Sequence, residues 1–322
     1  MKWTIGEAVW RLLHPEPEAA GVDGSDGPHA AASLASAPGQ PEAAASLASA
    51  PGLPEAAALL ASAAGGSAAG AGSAPLSAGA DGLLAGDPQR TLTGIAVSFA
   101  ASLDALERAR DAGANLLVAH EGLYFSHQAD AAWTAGSAAA QAKRRRIEAS
   151  GIAVCRWHDG PHRLRPDVIT AGLVRRLGWE DAVIRTLPEA TIIRLPEPLS
   201  AAAAAELAKR RLGASGVRAA GDLAHPCRTV AVTVGYRGGG ELAARLYEEH
   251  GAELLLAGEG PEWEAPEYVR DAVRLGRRIA LLYVGHAASE QPGMELAAER
   301  IGRLLPGVPV LFLNERDGIQ II

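Results

Sequence analysis

Residues 113–122 read GANLLVAHEG and residues 251–260 read GAELLLAGEG. In each, a glycine leads into a short apolar run, and a glutamate stands two places beyond it, Glu121 in one and Glu259 in the other. Short apolar runs bounded by turn residues read as strands buried on both faces. The surroundings repeat as well. TGIAVSF (93–99) reads as a strand and SLDALERARDAG (102–113) as a helix with a serine N-cap and a terminal glycine. RTVAVTV (228–234) and ELAARLYEEHG (241–251) stand in the same order before the second copy. Beyond the copies come a helix ending near Gly151 and the strand IAVCRW (152–157), and then the helix PEYVRDAVRLG (266–276) and the strand IALLYV (279–284). The repeated order predicts an α/β fold of two pseudo-duplicated halves with mostly parallel sheets and helices packed on the faces. Chance agreement is the alternative, because GA-x-LLL is a common helix-to-strand transition; the matching element order favours duplication.

The N-terminal MKWTIGEAVWRLL reads as an amphipathic helix, with Thr4 and Glu7 at capping-box spacing and Pro15 just beyond. From about residue 21 to 80 the chain is almost entirely Ala, Ser, Gly and Pro, with a 13-residue near-repeat at Glu42 and Glu55. Few large side chains there offset the entropy of ordering, so this stretch reads as a flexible low-complexity insertion. PDVITAGLVRRLG (166–178) reads as a helix, AVIRTL and TIIRL as a hairpin or edge pair, and Ser200 as the cap of an alanine-rich helix. The expected division is 1–20 with 81–180 as the first half, 181–225 as a connecting hairpin and helix, and 226–322 as the second half.

The chain has 322 residues, 48% of them apolar, and a net charge of −7. That charge argues against a general nucleic-acid surface. The basic run Lys143–Arg146 reads as a solvated face near a helix C-terminus, where positive charge is favourable. Two cysteines far apart, Cys155 and Cys227, do not make a secreted disulfide framework. No signal peptide is evident at the N-terminus, and no apolar run approaches the ~20 residues of a membrane span, so a cytoplasmic protein is expected.

Ligands of open α/β sheets bind beyond the carboxyl ends of the strands. Here those ends carry His120 and Glu121, then His158, Asp159 and His162 (HDGPH), then Glu259, and then His286 and Glu290 (HAASE). The chain has nine histidines in all, so this concentration is informative. Each cluster alone has a plain explanation: a surface pair, an Asp-Gly-Pro turn, an exposed i,i+4 pair. Together they make a mixed nitrogen and oxygen donor set suited to Zn²⁺, Mn²⁺, Fe²⁺ or Co²⁺, and a carboxylate could bridge two such ions. Cys155, on a buried strand, reads as core rather than ligand. The glycines of GYRGGGEL (235–242) read as a tight turn, with an anion site at the helix start as the alternative.

These residues in this order resemble the NGG-one-interacting-factor-three-like family. The matching pieces are DGLLAGDPQRTLTGIAVSFAASLDALERARDAGANLLVAHEGLYFSH, HDGPH, the Gly-Glu of 258–259 and GHAASEQPGMELAAERI. The resemblance implies two linked α/β halves, a toroidal hexamer and a dinuclear metal centre inside the ring. Many members carry the label GTP cyclohydrolase 1 type 2 homologue. Carried over by position, the implied ligands are His120, Glu121, His162, His286 and Glu290, with His158 and His127 as further candidates. The family pattern has a second histidine where Glu121 stands and an aspartate where His162 stands. The function expected is metal-dependent hydrolysis of a small phosphorylated or cyclic anionic substrate, with Asp159 or Glu259 moving protons. Arg156, Arg163 and Arg165 either meet the anion or are solvated. A non-catalytic metal-binding or metal-delivery scaffold is the alternative, and a ligand-free structural protein the third reading.

Overall fold

The computed structural model describes residues 2–15, 77–78, 80–127, 132–315, 318–319 and 321. All but the last few residues of the expected insertion lie outside that set. Strands β1 (Ser77–Ala78), β2 (Asp81–Ala85), β3 (Ile95–Ser98), β4 (Leu116–Ala119), β5 (Ala153–Arg156) and β12 (Val310–Phe312) form one sheet, in the order β1-β2-β5-β4-β3-β12. Strands β6 (Val183–Thr186), β7 (Thr191–Ser200), β8 (Arg218–Gly221), β9 (Pro226–Val232), β10 (Leu254–Ala257) and β11 (Ala280–Tyr283) form the other, in the order β6-β7-β9-β10-β11-β8.

The duplication is visible in the topology. In one half β5, β4 and β3 lie parallel in that order, with β2 antiparallel on β5. In the other β11, β10 and β9 lie parallel, with β8 antiparallel on β11. All residues of β3, β4, β5, β10 and β11 are buried, because helices cover both faces of each sheet.

Between the sheets lie α1 (Ile5–Leu13), α6 (Val168–Leu177), α7 (Ala201–Leu212) and α10 (His286–Leu304), which share one core with inward residues of both sheets, Ile95, Val118, Val232 and Leu256 among them. Helices α2 (Leu103–Asp111) and α4 (Ala138–Ser150) cover the outer face of the first sheet, and α8 (Gly240–Glu248) and α9 (Ala265–Arg274) that of the second. Two short helices, α3 (Trp133–Gly136) and α5 (Asp159–Arg163), complete the set. The expected caps form: Thr4 and Glu7 make a reciprocal capping box, and Ser102 and Ser200 accept from Ala105 N and Ala203 N. No helix among the described residues is long and apolar enough to cross a membrane.

The structure moves two expected boundaries. β12 lies in the stretch assigned to the second half, yet it pairs parallel with β3 and closes the first sheet. The hairpin β6–β7 is no mere connector, because β7 pairs antiparallel with β9 and extends the second sheet. The basic run is also not a uniformly solvated face. Lys143 is buried, its Nζ donating to Leu123 O (2.6 Å) and lying over the Phe125 ring, while Arg144 lies over Tyr124. These residues fasten the Leu123–Phe125 loop, whose aromatic rings offer the alkyl stems and charges a better neighbour than water.

Candidate metal centre

The chain beyond β3, β4 and β5 in one sheet, and beyond β9 and β11 in the other, meets around a cavity of about 680 Å³. Glu121, His127, His158, His162, His286 and Glu290 line it, with Phe99, Val234, Tyr236 and Arg237. His286 opens α10, so His286 and Glu290 share one helix face, and their Nε2 and Oε2 atoms lie 3.2 Å apart. Glu121 reaches across from the first sheet, its Oε1 3.5 Å from His286 Nε2. His120 is fully buried behind Glu121, with Nε2 3.3 Å from Glu290 Oε2. His162 Nε2 approaches the other Glu290 oxygen at 3.9 Å. The His120 and His158 rings stack with centroids 4.5 Å apart. Donor atoms of His120, His158 and His162 lie within 4.8 Å of one another, as do those of His120, Glu121 and Glu290, and those of Glu121, His127 and His158.

Three of these imidazoles are held from behind by carboxylates. Nδ1 of His158 donates to Asp159 (2.8 Å), Nδ1 of His162 to Asp167 (2.9 Å) and Nδ1 of His286 to Glu259 (2.8 Å). An ionised carboxylate only accepts, so each Nδ1 carries the hydrogen and Nε2 is left for another partner. This arrangement fixes the tautomer and orientation of metal-ligating histidines. Burial, and then the charge of His120, lower the His158 pKa to about 4, which keeps that ring neutral. Burial works to raise the Glu121 pKa, yet the hydrogen bond from His286 and the field of His120 bring it to about 2. Burial likewise opposes the charge on His286, but the neighbouring carboxylates of Glu121 and Glu290 raise its pKa to about 11. Glu290 is held far below the ordinary carboxylate range against its own burial, by the fields of His120 and His286 beside it.

Among the described residues, both ring nitrogens of His120 and Oε2 of Glu290 are buried with no hydrogen-bond partner. Unpartnered polar atoms at such depth are costly. The donor set is imidazole nitrogen and carboxylate oxygen, which suits a divalent transition metal. By that test the residues present fit such an ion.

The backbone is shaped around this point. Gly235 has φ +56, and a Cβ there would lie 2.2 Å from Glu290 Oε1 and 3.2 Å from His286 Nε2. HDGPH forms the short helix α5, and buried Asp81 clamps its start by accepting from the backbone N–H of His158 (2.6 Å), Asp159 (2.9 Å) and Gly160 (2.7 Å). Asp167 caps α6 through Ile169 N and Thr170 N while holding His162. Sequence reasoning missed both aspartates in these roles. Asp167 carried a signal, an Asp directly ahead of a periodic apolar segment; Asp81 carried none.

Every predicted candidate lies at or beside the cavity. Glu259 and Asp159 sit behind rings rather than toward the cavity centre. His127 Nδ1 lies 3.3 Å from Glu121 and accepts from Arg156 Nη2 (3.1 Å). Arg156 is neither solvated nor an anion receptor. It is buried, with Nη1 donating to His127 O (2.7 Å), because it braces the loop between Glu121 and His127. Arg163 pairs with Asp159 (2.9 Å), and Arg165 donates to the carbonyls of His162 (3.0 Å) and Leu164 (2.9 Å). Cys155 is core, fully buried with its thiol pKa pushed up by that burial. The glycine turn before α8 offers no free helix start, since Glu264 Oε2 accepts from Gly240 N (2.8 Å).

The fold has known relatives. It superposes on Staphylococcus aureus hypothetical protein SA1388 with a TM-score of 0.62 at 14% identity, covering 77% of this chain and 94% of that one. A Bacillus cereus protein related to NIF3 gives 0.60 at 16% identity, with the same 77% and 94% coverage. TTHA1606 from Thermus thermophilus gives 0.54 at 18% identity, with 74% and 90% coverage. At these identities the likeness concerns the fold alone. No curated protein sequence matches the chain. The sequence profile of one family matches residues 74–318, which takes in every strand from Ser77 onward and all the candidate ligands, and the chain thus belongs to the Duf34/NIF3 (NGG1p interacting factor 3) family.

Proposed function

We propose that this chain holds two divalent transition-metal ions (Zn, Mn, Fe or Co) and hydrolyses a small phosphorylated or cyclic anionic substrate in the cavity. The observation that carries the metal reading is the pairing of three carboxylate-backed imidazoles with the unpartnered nitrogens of His120 and the unpartnered oxygen of Glu290. His120, Glu121, His158, His162, His286 and Glu290 would hold the ions, with Glu290 between the two groups of ligands. Two divalent ions supply Lewis acidity toward a phosphoryl or acyl oxygen and lower the pKa of water. Asp159 and Glu259 fix the rings of His158 and His286, and their side chains are 30% and 35% exposed, which leaves them a path for passing a proton to solvent. Phe99, tilted against the His120 and His286 rings, walls the ligands from water.

A metal-delivery protein without turnover is the second reading, favoured by the 29% exposure of the His286 side chain, which leaves an ion a way out. Assembly into a ring of identical copies, with the cavities facing inward, accompanies either reading. Elemental analysis of the full chain tests the metal reading. About two transition-metal ions per chain are expected, with loss in His120→Ala and His286→Ala. Near-zero metal after reconstitution with Zn²⁺, Mn²⁺ or Fe²⁺ refutes it. Turnover of phosphoesters or GTP by the loaded protein then separates the enzyme from the delivery protein.

A further inference from the structure

Resting on the metal reading above, we propose that Arg237 anchors a phosphoryl group in the cavity, and that the ligand class is the phosphate monoester of a planar ring compound, its ring against Tyr236. Arg237 follows Tyr236 in the loop after β9, and both line the cavity with the candidate ligands.

Arg237 is tethered but not satisfied. Its Nη1 donates to Asp167 Oδ2 (2.9 Å), and its side chain is 26% exposed. Asp167 also takes the Nδ1 hydrogen of His162 and the backbone hydrogens of Ile169 and Thr170, so its charge is shared among four donors. A guanidinium has five N–H groups, and the others on Arg237 find no acceptor among the described residues. A planar fork held by one corner at a cavity wall is the usual receptor for a phosphate, which it meets with two parallel hydrogen bonds.

The charge count of the site points the same way. Five carboxylates (Glu121, Asp159, Asp167, Glu259 and Glu290) stand against three guanidiniums (Arg156, Arg163 and Arg237). Two divalent ions add four positive charges, leaving two positive charges over, the complement of a monoester dianion. Tyr236 is 62% exposed and has no ring or hydrogen-bond partner among the described residues. A bare aromatic face at the rim of a cationic cavity suits a planar ring carried by the phosphate. Asp167 links the two ends of the site, since the carboxylate that orients His162 also steers Arg237.

Calorimetric titration of the metal-loaded full chain with inorganic phosphate and with phenyl phosphate tests this, with metal content measured on every sample. The expected result is phosphate affinity at least ~10-fold weaker in Arg237→Met, as loss of a charge-assisted pair implies, and partly restored in Arg237→Lys. Phenyl phosphate should bind more tightly than phosphate to the wild type, and Tyr236→Ala should lose that advantage while keeping phosphate. Normal metal content with phosphate binding indifferent to Arg237 overturns this inference and leaves the metal reading standing. Binding of benzoate in preference to phenyl phosphate overturns the phosphoryl assignment. A wild-type chain that takes up no metal refutes the metal reading first, and this inference with it.

Discussion

At the end of β4 the chain presents His120 and Glu121; at the equivalent end of β10 it presents Gly258 and Glu259. Glu121 faces the cavity and reaches Nε2 of His286, while Glu259 reaches Nδ1 of the same ring from the other side. One imidazole thus lies between the two copies of a single glutamate. The preceding position has diverged further. His120 is a buried candidate ligand, whereas a Cβ on Gly258 would lie 2.5 Å from Gly235 O and 2.5 Å from Ser289 Oγ. The second half has closed its copy of the ligand position against the loop that carries Gly235. It supplies its donors one strand later, from the start of α10. Duplication here repeats the scaffold and divides the chemistry: one copy of the turn offers candidate ligands, and the other orients one of them.

The sharpest test of that division exchanges the two glutamates for glutamine in turn. Glu121→Gln removes a charged donor, and its metal affinity should fall by more than the roughly 100-fold that marks the loss of an orienting group. Glu259→Gln should cost about 10–100-fold and leave the stoichiometry unchanged at saturating metal. Equal losses in equilibrium dialysis would break the comparison. A smaller effect is expected from Gly258→Ala, which begins to restore the first half's pattern. Its methyl meets backbone as well as a serine hydroxyl, so a stability loss of about 1–3 kcal/mol is expected in denaturant unfolding. An unchanged midpoint would show that the Gly235 loop can retreat.

The remaining test concerns the loop after Glu121. Burial lowers the Lys143 pKa to about 8, against 10.5 for the free side chain. Below pH 8 both folded and unfolded chains hold the proton, and folding bears the full cost of burying the charge. Between about 8 and 10.5 the unfolded chain binds more protons, so the stability contribution of this group rises with pH. Unfolding free energies over that window should climb more in the wild type than in Lys143→Met. Parallel curves would mean that the ammonium keeps its water.

What the sequence made legible was local or repeated. The paired strand ends, the helix caps and the i,i+4 spacing of His286 and Glu290 all follow from residues close together in the chain. Features built by distant pairing were not legible. β2 has only five residues, a glycine among them, and takes its place from an antiparallel pairing with β5. Asp81, at its start, clamps a turn 77 residues away. Lys143 read as a surface charge, and Arg156 as either solvated or a contact for an anion, because charged residues are rarely buried unless paired. Both are buried here because backbone carbonyls of the Glu121–His127 loop receive them. Of the metal centre, the donors could be read from sequence, but the carboxylate behind His162 could not, since Asp167 was legible only as part of a helix start.

The pairing of β12 with β3 bears on how the protein is made. As the chain leaves the ribosome, β3 emerges early with its apolar edge uncovered, and the strand that covers it consists of residues 310–312. The candidate ligands are likewise incomplete until His286 and Glu290 have been synthesised. A nascent or truncated chain therefore presents an open strand edge and an unfinished donor set at the same time. Both are hazards, one through edge-to-edge aggregation and the other through stray metal, and both end once the stretch from His286 to Phe312 has been made.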